Sequence, residues 1–425
     1  MPDTYEVRPA AGPLTATVRP PGSKSLTNRA LVCSAMAAGV SRLTGALDSD
    51  DTRVMIAALR ELGIDVRVED SGRVLMVTGC GGKIPTQQAE LLVGNSGTTV
   101  RFLTALLTLG KGEYCLDGVP RMRERPIGDL AASLNSLGAE VQCESPGNCP
   151  PVRVIANGLQ GGQASMHGGV SSQFLSGVLM AAPYATNPIE LAIRGDLVSK
   201  PYIRMTIEVI RAFGADVLMD ESMATFSVPT GEYSAREYAI EPDASAASYF
   251  WAAAAITQGR VVVEGLSPAA LQGDVAFVDC LEQMGCGVER TADAIAVEGR
   301  PLKGIDVDMN AISDTVQTLG AVALFAEGET IIRGVGHIRH KETDRIGDLA
   351  TELRKFGATV QTTESGLSIT PPNELQAARV ATYDDHRMAM SLALAGLKIP
   401  GVQIEDPDCT AKTYPRFFAD LQSLY

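Results

Sequence analysis

The sequence of 425 residues is long enough for two or three domains, and its 45% hydrophobic content with 42 glycines favours a globular α/β protein. A net charge of −14 argues against general nucleic-acid binding, although cations gathered in one cleft would still bind a small anionic substrate. No uninterrupted apolar run approaches the roughly 18 residues that a membrane-spanning helix needs, so we expect no membrane association.

Cysteines and histidines give no indication of a metal centre. The eight cysteines are scattered without CxxC pairs, and the four histidines form no HExxH motif. This pattern favours reduced thiols and no structural zinc. Residues 1–19 include Asp3 and Glu6 and lack an apolar core, so we expect no signal peptide and a cytoplasmic protein.

The first predicted helix begins in the segment PGSKSLTNRA (21–30). Free backbone N–H groups at a helix start favour an anion, and Lys24 and Arg29 bring two positive charges to the same place. The segment therefore predicts a phosphate or carboxylate site. The alternative is a capped helix with two exposed cations.

Hydrophobic periodicity predicts the elements that follow. We expect the first helix to end near Ala38, a strand from about Ser41 to Leu47, a second helix over 50–62, and strands at Val66 and 74–77.

The same unit then recurs along the chain, each time with a glycine that ends a helix and a valine that begins a strand. Successive glycines lie roughly 71 to 76 residues apart. The copies are Leu62-Gly63-Ile64-Asp65-Val66, Leu137-Gly138-Ala139-Glu140-Val141, Phe213-Gly214-Ala215-Asp216-Val217, Met284-Gly285-Cys286-Gly287-Val288 and Phe356-Gly357-Ala358-Thr359-Val360. A sixth unit would end in the segment 417–421.

Each unit opens with a predicted helix that begins at a polar cluster. The clusters are 23–25, 94–99, 171–173, 243–245, 313–315 and 384–387. Six units suggest two domains of three, at 21–240 and at 1–20 plus 241–425, with hinges near 20–21 and 239–242. Equivalent helix starts should then line a cleft between the domains, which would bind a ligand with several negative charges.

Nine stretches together resemble the 5-enolpyruvylshikimate-3-phosphate synthase family over essentially the whole chain. They are PGSKSLTNRA (21–30), GNSGTTVR (94–101), RMRERPIG (121–128), SSQFLSG (171–177), GDLVSKPYI (195–203), DASAASYF (243–250), KETDR (341–345), DDHRMAM (384–390) and CTAKTYP (409–415). The resemblance implies an α/β enolpyruvyl transferase-like fold, an inverse α/β barrel in which two domains of three βαβαββ repeats face an interdomain cleft.

The resemblance also implies an activity. The family transfers the enolpyruvyl group of phosphoenolpyruvate to the 5-hydroxyl of shikimate 3-phosphate and releases phosphate, in the pathway to chorismate and the aromatic amino acids. It uses no metal or organic cofactor. We expect a monomer with these two small-molecule substrates as partners, inhibited by the herbicide glyphosate in place of phosphoenolpyruvate.

Site residues follow from the resemblance, position by position. The implied shikimate 3-phosphate contacts are Lys24, Ser25, Arg29, Ser171, Ser172, Gln173, Ser199, Tyr202, Asp314 and Lys341. The implied phosphoenolpyruvate contacts are Lys24, Asn95, Gly97, Arg125, Gln173, Arg345, His386, Arg387 and Lys412. Fork-shaped arginine donors suit carboxylate and phosphate, and a glycine lets backbone approach the ligand.

Three residues are assigned to the chemistry itself. We expect Asp314 to act as base toward the 5-hydroxyl and Glu342 to handle the methyl proton, with Lys24 assisting and neutralising phosphate. The alternative for Glu342 is a surface helix charge that pairs with Arg345 or Arg339.

Two positions depart from the family pattern. His337 stands where the family commonly has asparagine, near the shikimate ligand. Phe102 replaces a proline or aliphatic residue, one turn into the helix behind Gly97, where it would reshape the back of that pocket.

Two other functions fit parts of the sequence. The same six-unit fold serves enolpyruvyl transfer to UDP-N-acetylglucosamine, but those enzymes usually carry a reactive cysteine in the loop that here spans 121–125 without one. Cys115 lies upstream, in a strand-like run. A non-enzymatic repeat scaffold that binds polyanions would not need Asp314 or Glu342.

Overall fold

The computed structural model describes residues 3–425, and its chain divides into two units. We call residues 22–240 the continuous unit, and residues 3–21 with 241–425 the split unit.

The helices and strands alternate along the whole chain. The α-helices are α1 (Lys24–Met36), α2 (Asp50–Glu61), α3 (Gly97–Leu107), α4 (Gly128–Ser136), α5 (Ser172–Ala181), α6 (Lys200–Ala212), α7 (Ala244–Thr257), α8 (Phe277–Gln283), α9 (Val316–Ala323), α10 (Gly347–Lys355), α11 (His386–Ala393) and α12 (Phe417–Gln422). The first strands are β1 (Thr4–Glu6), β2 (Thr15–Val18), β3 (Ala38–Thr44), β4 (Asp65–Glu69), β5 (Val74–Cys80), β6 (Gln88–Gly94), β7 (Lys111–Gly118), β8 (Glu140–Ser145), β9 (Cys149–Asn157), β10 (Gly162–His167), β11 (Ile189–Arg194), β12 (Leu218–Met219) and β13 (Thr225–Val228). The remaining strands are β14 (Glu237–Ala239), β15 (Arg260–Glu264), β16 (Gly287–Arg290), β17 (Ala294–Glu298), β18 (Leu302–Lys303), β19 (Asp306–Asp308), β20 (Ala326–Glu327), β21 (Thr330–Arg333), β22 (Thr359–Thr363), β23 (Gly366–Thr370), β24 (Arg379–Val380) and β25 (Gln403–Glu405).

Each repeat builds its own small sheet from one parallel pair followed by antiparallel strands. The continuous unit has the sheets β14-β3-β5-β4, β6-β7-β9-β8 and β10-β11-β13-β12. The split unit has β2-β15-β17-β16, β19-β21-β23-β22 and the three-stranded β24-β25-β1, with a small pair β18-β20. The N-terminal strand β2 joins the split unit through its parallel pairing with β15. The fold is therefore a mixed α/β repeat architecture, as the sequence predicts.

Glycines end the second helix of five repeats. Gly63, Gly138, Gly214, Gly285 and Gly357 have φ between +82° and +112°, a left-handed conformation that other residues adopt only at a cost. The prediction of these helix ends is confirmed.

A second feature, not predicted from the sequence, recurs at helix ends. Three residues before the glycine, a side chain turns back to the carbonyl of the valine that follows the helix. Arg60 donates to Val66 O at 2.6 Å, and Arg354 donates to Val360 O at the same distance. In these two repeats the contact ties the helix end to the neighbouring strand.

The predicted bounds of the first helix end and of the strand after it are wrong. The helix α1 ends at Met36 rather than near Ala38, and β3 spans Ala38–Thr44 rather than about Ser41 to Leu47. The extended backbone of Ala37 stops the helix, and its N–H caps the carbonyl of Cys33 at 3.0 Å.

The opening helix of each repeat lies in the core of its unit. Every residue of α3, α7, α9 and α11 is buried, whereas α2, α6 and α10 bury one face only. We call α1, α3, α5, α7, α9 and α11 the core helices. Each core helix therefore begins with polar residues at the edge of the buried core.

All eight cysteines are free thiols. Within residues 3–425, no helix is long and apolar enough to span a bilayer.

Candidate functional site

Side-chain caps begin most of the core helices, as their polar starts predict. Serine hydroxyls cap the three core helices of the continuous unit, at Ser23, Ser96 and Ser171. In the split unit, aspartate carboxylates cap two of them, at Asp243 and Asp385. Each cap accepts a hydrogen bond from a backbone N–H of the first turn, which satisfies one of the donors that a helix start leaves open.

In the continuous unit, Arg29 is held from three sides. Its Nε donates to Thr206 Oγ1 at 2.7 Å, its Nη1 donates to the Ser25 carbonyl at 3.0 Å, and the guanidinium lies 5.2 Å from the ring centre of Phe102. Only 2% of Arg29 is exposed. Burial lowers its pKa to about 10, so it keeps its charge at neutral pH. Phe102 therefore has a local role in this structure, as the aromatic face beneath Arg29.

Gln173 is oriented by two residues of α3. Its Oε1 accepts from Arg101 Nη1 at 2.5 Å, and its Nε2 donates to Thr98 Oγ1 at 3.2 Å. Arg101 belongs to the GNSGTTVR motif but was not among the predicted contacts. The two bonds fix which end of the Gln173 amide accepts and which donates.

Arg125 lies directly against the start of α3. Its Nη1 donates to both the carbonyl and the Oδ1 of Asn95, each at 3.2 Å. A Cβ at Gly97 would come within 2.5 Å of Arg125 Nη2 and 3.2 Å of Arg101 Nη1. Glycine is therefore needed here for the close approach of a guanidinium. We call Arg29, Arg101 and Arg125 the arginine cluster.

The other predicted residues of the continuous unit also lie at helix starts. Lys24 is the first residue of α1, and Ser172 is the first residue of α5 and is buried. Ser199 precedes α6 with a φ of +54°, a left-handed conformation that is unusual for serine. Tyr202 follows in the first turn of α6, where its carbonyl accepts from Thr206 Oγ1 at 2.8 Å.

In the split unit, Asp314 lies in a 3-10 turn, Asn310–Thr315, that leads into α9. Its carboxylate contacts three cations. Lys341 Nζ donates a short bond to Oδ1, Arg387 Nη2 lies 2.8 Å from Oδ2, and Arg345 Nη1 lies 3.4 Å from Oδ1. The Asp314 side chain is 14% exposed, so these pairs are screened far less than surface ion pairs.

Arg345 connects three carboxylates. Two nitrogens bind Asp385 side by side, at 2.7 and 3.1 Å, while Nη2 also lies 2.9 Å from Glu342 Oε2. The third carboxylate is that of Asp314. Burial alone would lower the pKa of Arg345, but the three carboxylates outweigh it and raise the pKa above its usual value. Asp385 was not a predicted site residue, although it lies inside the DDHRMAM motif.

Glu342 is not a surface helix charge. Its side chain is 9% exposed and lies outside the helices, in the segment before α10. It pairs with Arg345, as the alternative interpretation expected, and also with Lys412, whose Nζ lies 2.9 Å from Oε1. Glu342 is thus a buried carboxylate between two cations.

Burial affects the remaining titratable groups of this region. It lowers the pKa of Lys341, with Asp314 opposing the shift and Arg345 adding to it. It also lowers the pKa of His337 to about 3 and that of His386 well below the usual value for histidine. Both histidines are therefore neutral near pH 7.

His386 is the first residue of α11 and has no hydrogen-bond partner for either ring nitrogen among residues 3–425. A buried neutral imidazole normally uses both nitrogens, one as donor and one as acceptor. The side chain therefore has hydrogen-bonding capacity that a bound ligand can satisfy.

Together these side chains form what we call the ion-pair cluster: Asp314, Lys341, Glu342, Arg345, Asp385, Arg387 and Lys412. With four cations against three carboxylates, it carries one net positive charge. Such an arrangement can bind an anion and also provides carboxylates that can exchange protons with it.

Comparisons with known proteins agree over nearly the whole chain. A family model described as EPSP synthase (3-phosphoshikimate 1-carboxyvinyltransferase) matches residues 9–421. A 3-phosphoshikimate 1-carboxyvinyltransferase of Nostoc punctiforme is 47% identical over 418 residues, with 98% of each chain covered. One of Vibrio atlanticus is 46% identical over 414 residues, with 97% of each chain covered. A solved structure of EPSP synthase from Acinetobacter baumannii matches with a TM-score of 0.81 at 27% identity, over 98% of both chains.

Proposed function

Because the chain belongs to the EPSP synthase family, we propose that it transfers the enolpyruvyl group of phosphoenolpyruvate to the 5-hydroxyl of shikimate 3-phosphate, releasing phosphate. The family model and curated relatives of the same name, at 46–47% identity, support this activity. The reaction belongs to the shikimate pathway, which leads to the aromatic amino acids.

One observation carries the chemical part of the proposal: Arg345 bridges the two carboxylates assigned to proton transfer. It lies 3.4 Å from Asp314 and 2.9 Å from Glu342. The reaction has two proton events. The hydroxyl oxygen adds to C2 of phosphoenolpyruvate while the CH2 carbon gains a proton. The resulting CH3 then loses a proton as the C–O bond to phosphate breaks.

Each carboxylate has one of these tasks in the proposal. Asp314 accepts the proton of the 5-hydroxyl, and Glu342 delivers and removes the proton at the methyl carbon. Their cationic partners differ, since Lys341 and Arg387 contact Asp314 while Lys412 contacts Glu342. Different surroundings can keep the proton affinities of two nearby carboxylates apart, as an acid–base pair requires. Lys24 assists and neutralises the departing phosphate.

Binding of phosphoenolpyruvate is assigned to the cations and to His386. The proposed contacts are Lys24, Asn95, Gly97, Arg125, Gln173, Arg345, His386, Arg387 and Lys412. The ring nitrogens of His386, which have no hydrogen-bond partner among residues 3–425, support its assignment, since a carboxylate or phosphate oxygen would accept a hydrogen bond from the neutral imidazole.

Shikimate 3-phosphate is assigned to the helix starts. The proposed contacts are Lys24, Ser25, Arg29, Ser171, Ser172, Gln173, Ser199, Tyr202, Asp314 and Lys341. Arg29 is nearly buried and bonded to Thr206 and Ser25, so its contribution is a fixed positive charge rather than a mobile side chain.

We also propose that residues 21–240 and 1–20 plus 241–425 act as two domains of a monomer that close on the substrates, with hinges near 20–21 and 239–242. Closure would exclude the water that otherwise hydrolyses the oxocarbenium-like intermediate. No metal or organic cofactor enters the proposed reaction. Small-angle scattering with and without both substrates tests closure, which predicts a smaller radius of gyration in their presence.

Enolpyruvyl transfer to UDP-N-acetylglucosamine is the rival function. It calls for a reactive cysteine, and the cysteine that most closely precedes the loop 121–125 in this chain is Cys115. Burial raises the pKa of its thiol, with the nearby Glu144 adding to the shift, and this disfavours the reactive thiolate. The deciding experiment measures phosphate release from phosphoenolpyruvate with each acceptor. We expect release with shikimate 3-phosphate alone; release with the UDP-sugar alone would overturn the proposal.

A further inference from the structure

The segment that leads into α11 contains an unusual turn. Asp385 N donates to the Thr382 carbonyl at 2.9 Å, which closes a four-residue turn. Its two central residues, Tyr383 and Asp384, have φ values of +57° and +55°. Positive φ at both central positions is the signature of a type I′ turn, which favours glycine and asparagine. A tyrosine adopts this conformation only when surrounding contacts hold it there.

The turn determines where several ion-pair residues lie. Asp385, its last residue, binds Arg345 at 2.7 and 3.1 Å and accepts from Arg387 N at 2.9 Å. His386 follows directly as the first residue of α11. A change in the turn would therefore move Asp385, His386 and Arg387 together.

A buried carboxylate outside the ion-pair cluster holds this segment. Glu352, on α10, has a fully buried side chain. Its Oε1 accepts from the Tyr383 hydroxyl at 2.7 Å, and its Oε2 accepts from Ala381 N at 2.9 Å and lies 2.7 Å from Lys355 Nζ. Lys355 also donates to the Arg379 carbonyl at 3.1 Å. The end of α10 thus holds the chain at several points just before the turn.

These contacts explain why a tyrosine occupies a position that suits glycine. Glycine or asparagine would make the turn without strain but could not place a hydroxyl on Glu352. A buried carboxylate is costly unless donors satisfy its oxygens, and here Tyr383, Ala381 and Lys355 all do so. The Tyr383–Glu352 bond therefore serves two purposes, since it satisfies the carboxylate and holds the strained turn.

We propose that Glu352 and Tyr383 are positioning residues for phosphoenolpyruvate. They hold the turn at Tyr383–Asp384 and so fix Asp385, and through it Arg345, together with His386 and Arg387. This inference rests on the proposed function, because it assigns that side of the site to phosphoenolpyruvate. The proposed shikimate 3-phosphate contacts of the same unit, Asp314 and Lys341, belong to other segments. Asp314 also contacts Arg345 and Arg387, but its bond to Lys341 does not depend on the turn, so we expect both residues to be less affected.

The test compares Tyr383→Phe and Glu352→Gln with the unaltered protein and with Tyr425→Phe. Tyr425 is a matched control, because it is 38% exposed against 39% for Tyr383 and also donates its hydroxyl to one partner, the Arg8 carbonyl at 2.6 Å. For each protein, phosphate release gives kcat and the KM of both substrates, and thermal unfolding gives Tm.

For Tyr383→Phe we expect the KM of phosphoenolpyruvate to rise about three- to tenfold, the worth of one hydrogen bond, while the KM of shikimate 3-phosphate changes less than about twofold. Glu352→Gln should likewise raise the KM of phosphoenolpyruvate and leave the KM of shikimate 3-phosphate nearly unchanged. Tyr425→Phe should leave them unchanged, with a Tm close to that of Tyr383→Phe.

An equal rise in both KM values, or a lower Tm with unchanged kinetics, would overturn the inference and make the contact purely structural. Absence of phosphate release by the unaltered protein would instead overturn the proposed function. The two failures are thus distinguished by the first measurement.

Discussion

The two units present cations in different ways. In the continuous unit, Arg29, Arg101 and Arg125 donate to the neutral oxygens of Thr206, Gln173 and Asn95. In the split unit, every cation of the ion-pair cluster contacts a carboxylate. Neutral acceptors orient a guanidinium and leave its charge in place, whereas a carboxylate cancels the charge and adds a group that can carry a proton.

The helix caps show the same difference. Serines cap the core helices of the continuous unit, and aspartates cap α7 and α11 in the split unit. A charged cap offsets the positive end of the helix dipole, while a neutral cap leaves it available to an anion. The contrast supports the proposal that the carboxylates that transfer protons lie in the split unit, whereas the continuous unit contributes cations and uncharged helix caps.

Removing the proton acceptor should have the largest effect. Asp314→Asn keeps the shape of the side chain, and we expect kcat to fall roughly 10²–10⁴-fold, the usual worth of a positioned acid or base. Affinity for the substrates should change far less. The matched control is Asp306→Asn, which breaks an exposed pair with Arg333 and should leave kcat unchanged. Near-normal turnover by Asp314→Asn would remove this residue from the mechanism.

Removing one cation of the ion-pair cluster should have the next largest effect. In Arg387→Ala or Lys412→Ala, loss of a charge-assisted contact should cost about 1.5–3 kcal/mol, or about 10–150-fold in phosphoenolpyruvate affinity. Arg333→Ala, in the same unit, removes an exposed cation and serves as control. Calorimetric titration with phosphoenolpyruvate measures the difference. Equal affinities for the variants and the control would contradict the assignment.

Adding a methyl group at Gly97 tests how closely the arginine cluster is packed. The new Cβ would come within 2.5 Å of Arg125 Nη2, so this guanidinium must shift. We expect the free energy of ligand binding to weaken by about 1–3 kcal/mol. Glyphosate should lose more affinity than phosphoenolpyruvate, because the inhibitor is longer and must fill the pocket from end to end. The experiment measures competitive inhibition at saturating shikimate 3-phosphate. An unchanged ratio of the two affinities would mean that Gly97 does not face that end of the ligand.

The smallest effect concerns stability at acidic pH. Burial holds the pKa of His337 in the folded protein at about 3, so below pH 6.5 the unfolded chain binds a proton that the folded protein does not. Stability should therefore fall as the pH falls, by about 1–2 kcal/mol between pH 7 and pH 5 from this residue.

His337→Asn should remove that part of the loss. Denaturant unfolding at pH 7 and pH 5 measures it, with His167→Asn, an exposed position, as the control. If the free energy of unfolding falls by the same amount between pH 7 and pH 5 in His337→Asn as in the unaltered protein, His337 is not the source of the acid sensitivity.

Local features of this molecule could be predicted from the sequence, and contacts between distant segments could not. The helix-ending glycines and the polar helix starts are properties of a few neighbouring residues, and the structure confirms them. The pairing of Arg345 with Asp385 joins positions 40 residues apart, and that of Arg29 with Thr206 joins positions 177 apart. No periodicity encodes such contacts.

The missed residues show the same limit. Arg101 and Asp385 both lie inside motifs that the sequence analysis quoted, yet nothing in the motifs shows that one orients Gln173 and the other binds Arg345. The left-handed turn at Tyr383–Asp384 was also missed, because a tyrosine argues against it and only the contact of Tyr383 with buried Glu352 accounts for it.

The proposal places the two proton-transfer carboxylates, Asp314 and Glu342, in the split unit, and it assigns cations of both units to the anionic groups of the substrates. The most direct test measures how fast solvent deuterium enters the vinyl group of the product when the reaction runs in deuterium oxide at saturating substrates. In Glu342→Gln we expect this rate to fall by about 10²-fold or more. In Arg125→Lys it should stay within about tenfold of the unaltered rate, because saturation compensates for weaker binding. Deuterium entry at the unaltered rate in Glu342→Gln would contradict the account.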